Sequence, residues 1–183
     1  MRVKGMLLGF LAMGLTIALP GVLPAYDAMP TPEDMELNYS FSAGAAIAVK
    51  SNVKNNASPA IGVAWYGPMD ANFGDMAALG LSFDWIGVTR AVDDEPVNLV
   101  PVLLNYKQST MLSSYRVFVN LGVGIRYASD NIPEMRIEDG TGFCWTAGGG
   151  IDLTNRIYGN FRFIGGEHPG DDGVVAIQLG YRF

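Results

Sequence analysis

The chain has one histidine, His168, and one cysteine, Cys144, so few kinds of side-chain chemistry are open to it. His168 follows Glu167 and precedes Pro169-Gly170. A lipid hydrolase would hold such a histidine between a nucleophilic hydroxyl and an acid at one rim of its scaffold. Ser129 is the nearest plausible nucleophile, and no motif joins it to His168, which therefore reads as a loop residue. Cys144 has no histidine or second cysteine as companion. It reads as a small packed side chain, neither nucleophile nor ligand. Carboxylates gather at Asp93-Asp94-Glu95, at Asp130, Glu134, Glu138 and Asp139, and at Glu167, Asp171 and Asp172. Such oxygen clusters can hold Ca²⁺ or Mg²⁺ and bridge phosphates. None has the spacing of a calcium loop, and the runs read as solvated loop tips. No residue is assigned a catalytic, cofactor-binding or metal-ligating role, and no cofactor is expected.

The segments that must carry these residues alternate with period two. Backwards from the last residue, Phe183, Tyr181, Leu179, Ile177 and Val175 are large and apolar, while Arg182, Gly180, Gln178 and Ala176 lie between them. A strand with lipid on one side and a polar interior on the other has this pattern. Seven earlier segments repeat it, at residues 37–49, 60–66, 77–88, 97–106, 115–127, 142–153 and 156–165. In the fifth, Tyr115, Val117, Val119, Leu121, Val123, Ile125 and Tyr127 share one parity, with Phe118 the exception on the other. The fourth is the least regular: Leu103 and Leu104 fall on both faces, and Pro101 removes a ladder donor, which predicts a bulge or a strand end. Eight such strands in succession predict an all-β fold, an antiparallel up-and-down transmembrane β-barrel whose closure removes lipid-exposed edges.

A soluble secreted barrel with its apolar face inward is the alternative. It would need an outer wall rich in Lys and Glu, and only 16% of the chain is charged, so the membrane reading is preferred. Arg116, Arg126, Arg162 and Arg182 then share the inward parity with Asp84 and Asp152. An interior of eight strands is just wide enough for side chains to fill. The charges are therefore expected to pair as a packed polar plug in preference to lining a conduit. Aromatic residues should form two interfacial belts: Tyr39, Trp65, Tyr106, Tyr115, Tyr158, Tyr181 and Phe183 in one, Trp85, Tyr127, Phe143 and Trp145 in the other. With periplasmic termini, residues 50–59, 89–96, 128–141 and 166–173 become outer loops. Thr154-Asn155 is a tight inner turn, and 67–76 and 107–114 are unusually long inner connections.

Residues 1–25 read as an export signal. Arg2 and Lys4 precede an apolar run at 6–19, Pro20-Gly21 breaks it, and Leu23-Pro24-Ala25 offers a cleavage site. Residues 26–36 form a leader and 37–183 the barrel. The chain has 18 acidic against 12 basic residues, and loss of the signal removes two of the basic ones. So acidic a chain is a poor partner for nucleic acid. A single cysteine rules out an internal disulfide framework despite the exported context.

The segment Val100-Pro101-Val102-Leu103-Leu104-Asn105-Tyr106-Lys107 resembles the small outer-membrane β-barrel proteins of diderm bacteria. So do the Val-Asn-Leu-Gly-Val-Gly-Ile core within 115–127, Gly149 through Asn155, and the terminal Gly180-Tyr181-Arg182-Phe183. These motifs are similar to the OmpA-like and OmpW-like families. The resemblance implies architecture more than activity, because such barrels include anchors, adhesins, small-solute channels and a few lipid enzymes. It also implies that the terminal alternation ending in Phe183 is read by the outer-membrane assembly machinery. Outer-membrane lipids and lipopolysaccharide are the expected partners, and the expected state is a monomer. The expected role is structural or surface interaction in the envelope. A narrow channel for small hydrophobic solutes, opening laterally near Pro101, is the alternative; a lipid-modifying enzyme comes third. The protein should fractionate with membranes and migrate faster on gels unheated than boiled; recovery as a soluble periplasmic species would overturn the architecture.

Overall fold

The computed structural model describes residues 38–49, 57–68, 77–89, 93, 95–112, 115–132, 137–166 and 173–183. The expected export signal and leader, Leu37 and His168 lie outside the described residues. The strands are β1 (Asn38–Ala48), β2 (Ser58–Pro68), β3 (Ala77–Thr89), β4 (Pro96–Leu112), β5 (Tyr115–Ala128), β6 (Gly140–Asp152), β7 (Ile157–Gly165) and β8 (Val174–Arg182). Each pairs antiparallel with the next, and β1 pairs with β8, so the sheet closes on itself. All eight expected strands are present. One end of the barrel carries Phe183, the Leu112↔Tyr115 rung and the β6–β7 turn (the hairpin end); the other carries residues 129–132 and 137–139 (the loop end).

Alternation sorts the side chains as the sequence predicts. Leu121 is 57% exposed and Leu179 58% exposed on the outer wall, with Phe41, Val63, Leu81 and Ile125 also outward. A continuous exterior of this kind is far too apolar for water and suits hydrocarbon. Phe41 stands opposite Tyr181 and Ala43 opposite Leu179 across the closing seam, so the outer face has no break there.

Two local expectations are corrected. Pro101 produces neither a bulge nor a strand end: β4 runs through it for 17 residues. Opposite β3, the rungs stop at Phe83↔Val102 and resume at Ile86↔Leu99 in the same register. Pairing with β5 is continuous through Pro101↔Arg126. A proline lacks only an N–H, and here its loss is confined to one neighbour. The long connection expected at 107–114 is also absent. β4 and β5 stay paired as far as Leu112↔Tyr115, which leaves two residues between the strands. The polar run Lys107-Gln108-Ser109-Thr110 hides strand because its polar members face the lumen or the barrel rim.

The turn between β6 and β7 is tight, as expected. Leu153 and Thr154 donate backbone bonds to the Ile157 carbonyl at 2.9 and 3.0 Å. The Thr154 hydroxyl accepts from the Ile157 N–H at 2.9 Å, which supplies a partner the open end of a ladder lacks. β6 begins at Gly140, whose φ of 83° favours glycine.

Replacing Leu121 by Arg should cost about 2–4 kcal/mol because it sits mid-strand on the lipid face, whereas Leu112→Arg at the strand end should cost about 0–1 kcal/mol. Urea unfolding in lipid vesicles, followed by tryptophan fluorescence, measures the difference. Equal costs would contradict a lipid-facing wall.

Candidate functional site

The lumen is divided along the barrel axis, and each half has its own chemistry. At the hairpin end the charges pair. Asp152 lies between two guanidinium groups: Arg182 Nη2 is 2.5 Å from Asp152 Oδ1, and Arg116 Nε bonds Oδ2. Arg162 Nη2 pairs with Asp84 Oδ1 and donates to Gln178 Oε1 at 2.9 Å. The inward positions of β3, β5, β6, β7 and β8 meet here because alternation places every one of these residues on the inner face. Both carboxylates are 1% exposed, and these partners offset the cost of burying them.

Aromatic rings line the same half. Lys107 Nζ lies 4.4 Å from the Phe118 ring centroid and 5.2 Å from that of Tyr66. The Arg182 guanidinium lies 4.7 Å over Tyr158, and Phe118 meets Tyr158 edge-on at 6.0 Å. Cation–π contacts of this sort offset part of the cost of withdrawing a cation from water. Tyr158 was expected in an interfacial belt and is instead buried in the lumen, because its parity is opposite to that of Ile157, Phe161 and Phe163. It pairs across the sheet with Gly180, where a Cβ would overlap the ring. Among the other belt residues, Tyr39, Trp65, Tyr181, Phe183, Trp85, Tyr127 and Phe143 are outward and exposed.

At the loop end the lumen is mostly apolar, which departs from the uniformly polar interior expected, and Arg126, expected among the paired charges, is buried here with its Nε and Nη1 unpartnered. Ile86, Val88, Val97, Leu99, Ile164 and Val174 point inward and pack with the inward alanines of β1 and β2. Ile132 and Ile137 from the 129–139 segment complete the cluster at 0% and 6% exposure. They exchange backbone bonds of 2.8 and 3.1 Å as an isolated antiparallel bridge against the apolar cluster. Parity alone does not reveal this closure, because the residues that complete it come from outside the strands.

Ser129 is part of that tie. Its Oγ accepts from the Asn98 N–H at 3.0 Å, and its own N–H donates to the Asn98 carbonyl at 3.0 Å. It acts as a cap on the β4–β5 ladder. Cys144 is inward and fully buried, as its parity predicts. Of the acidic loop residues, Asp93 Oδ1 accepts from the Glu95 N–H at 3.2 Å and Asp130 Oδ1 from the Asn131 N–H at 2.7 Å. These bonds order local turns. Asp94, Glu134, Glu167, Asp171 and Asp172 lie outside the described residues.

The charged half is not filled. A cavity of about 90 Å³ is bounded by Ser42, Asp84, Lys107, Arg116, Arg162 and Arg182, among others, and reaches Asn155 in the exposed β6–β7 turn. A water needs roughly 10–15 Å³ on such a measure, so the space holds about six. The expected polar plug is therefore a polar chamber closed above by apolar packing.

No protein-family model matches the chain, and no curated protein matches it. Solved structures do. The outer membrane enzyme PagL superposes with a TM-score of 0.59 at 13% identity, over 79% of this chain and 98% of that one. The outer membrane protein Ail of Yersinia pestis superposes with a TM-score of 0.52 at 16% identity, over 81% of this chain and all of the other. At these identities the likeness is one of fold. The chain has the eight-stranded fold of the small bacterial outer-membrane barrels, and the resemblance seen in its motifs holds at that level.

Asp152→Asn would leave Arg116 and Arg182 without their shared counter-charge, and a stability loss of about 3–5 kcal/mol is expected. Urea titration in vesicles measures it. A change below about 1 kcal/mol would mean that the ion triad is dispensable.

Proposed function

We propose that this chain is a non-enzymatic integral outer-membrane β-barrel that serves envelope integrity or surface interaction through its loops. The observation that supports it is the apolar closure of the lumen by Ile86, Val97, Leu99, Ile132, Ile137 and Ile164. Residues buried to this degree narrow the lumen toward the loop end, and a narrow apolar constriction closes by dewetting. On this reading the hairpin end faces the periplasm and the 129–139 segment faces outward. The outer wall contacts outer-membrane lipids and lipopolysaccharide, and the barrel works as a monomer. The alternating strand ending in Tyr181-Arg182-Phe183 is the segment the assembly machinery reads.

A second reading, passage of small hydrophobic solutes through the wall, draws on the two missing rungs beside Pro101 between β3 and β4. It is the weaker reading, since the register is intact on both sides and Leu103, fully buried, fills the lumen just beyond.

In planar bilayers the refolded protein should give closed traces at all voltages, and a strain lacking it should lose detergent resistance or surface attachment. Steady single-channel steps would overturn the closed-barrel reading. A strain unchanged in both resistance and attachment would overturn the envelope role.

A further inference from the structure

The chamber at the hairpin end has a charge imbalance that the paired residues do not remove. Three guanidinium groups and the Lys107 ammonium face two carboxylates. Asp152 has both oxygens engaged by Arg116 and Arg182 and does not border the cavity. Of the described acidic side chains, only Asp84 does, its Oδ2 buried without a hydrogen-bond partner, against four cations. Arg162 Nε and Arg182 Nη1 are buried without a hydrogen-bond partner, in side chains only 4% and 7% exposed. Buried donors left open in this way are costly, and excess buried positive charge is more so. Lys107 makes no ion pair among the described residues and lies over the Tyr66 and Phe118 rings.

We propose that this chamber is a binding site for a phosphoryl oxyanion. Guanidinium groups match phosphate oxygens geometrically, and an ammonium adds a compact charge to the same ion. A chamber that holds about six waters accepts one phosphate group with a few waters left to meet the open carbonyl oxygens of Asn120 and Asn160. Anything attached to the phosphate would have to leave by the exposed turn at Asn155. The ligand is therefore free phosphate, or a phosphate headgroup entering from the leaflet beside the hairpin end.

The test uses the folded full-length barrel in octyl glucoside, a detergent without phosphate, at constant ionic strength. Inorganic phosphate is titrated against chloride while NMR shifts of the Arg162 Nε–H and the Asn120 and Asn160 side-chain amides are followed. Saturable shifts in the millimolar range or below are expected. Lys107→Met should weaken binding by at least about tenfold, a change of about 1.4 kcal/mol. Ser109→Asp, which places a carboxylate in the chamber lining, should abolish it; heat-modifiable migration confirms that each variant is folded. A second arm embeds the protein in phosphatidylglycerol nanodiscs, and shifts of the same groups there but not with free phosphate would assign the site to a headgroup. No saturable shift in either arm overturns the proposal. So does phosphate binding that survives both substitutions, because it would lie elsewhere.

Discussion

A backbone in hydrocarbon has no water to bond, so every N–H and C=O on the wall must find its partner within the protein. The pairing of β1 with β8 meets that demand, and the rest of the molecule follows from it. Closure at eight strands sets a lumen about as wide as the side chains that enter it. Inward residues must therefore fit one another across the barrel as well as along the strands. Tyr158 lies against a Gly180 that has no side chain to give. Pro101 is tolerated because its missing donor faces β3 alone and the register resumes two rungs later.

Within that width the two halves of the lumen settle the cost of burial in opposite ways. The loop-end half packs isoleucine, valine, leucine and alanine together, with Arg126 the one charged side chain buried among them. The hairpin-end half keeps charges and holds them with shared partners, the Arg116–Asp152–Arg182 triad and the Arg162–Asp84 pair. The first arrangement closes the barrel. The second leaves a space lined by Lys107, Arg116, Arg162 and Arg182, which a uniformly packed polar plug would not have.

Much of this was legible in the sequence. The alternation in 115–127 located β5 and its faces, and shared parity brought Arg116, Arg162 and Arg182 together with Asp84 and Asp152. Parity also placed Cys144 and Phe118 inside. Polarity reads as loop at Lys107 through Thr110, which continue β4 because Lys107 and Ser109 face the lumen while Gln108 and Thr110 lie at the barrel rim. Tyr158 was grouped by its position near a strand end, when its parity already pointed inward.

The sequence by itself determined the number of strands, the face each residue takes and the lipid-facing wall, because a two-residue period is a local property of extended backbone. Only the tertiary structure decided which inward residues meet. That depends on register around a closed sheet, where Arg162 and Asp84 stand 78 positions apart in the chain yet bond directly. It also decided that Ile132 and Ile137 cap the lumen, because a bridge outside the strands has no period to announce it.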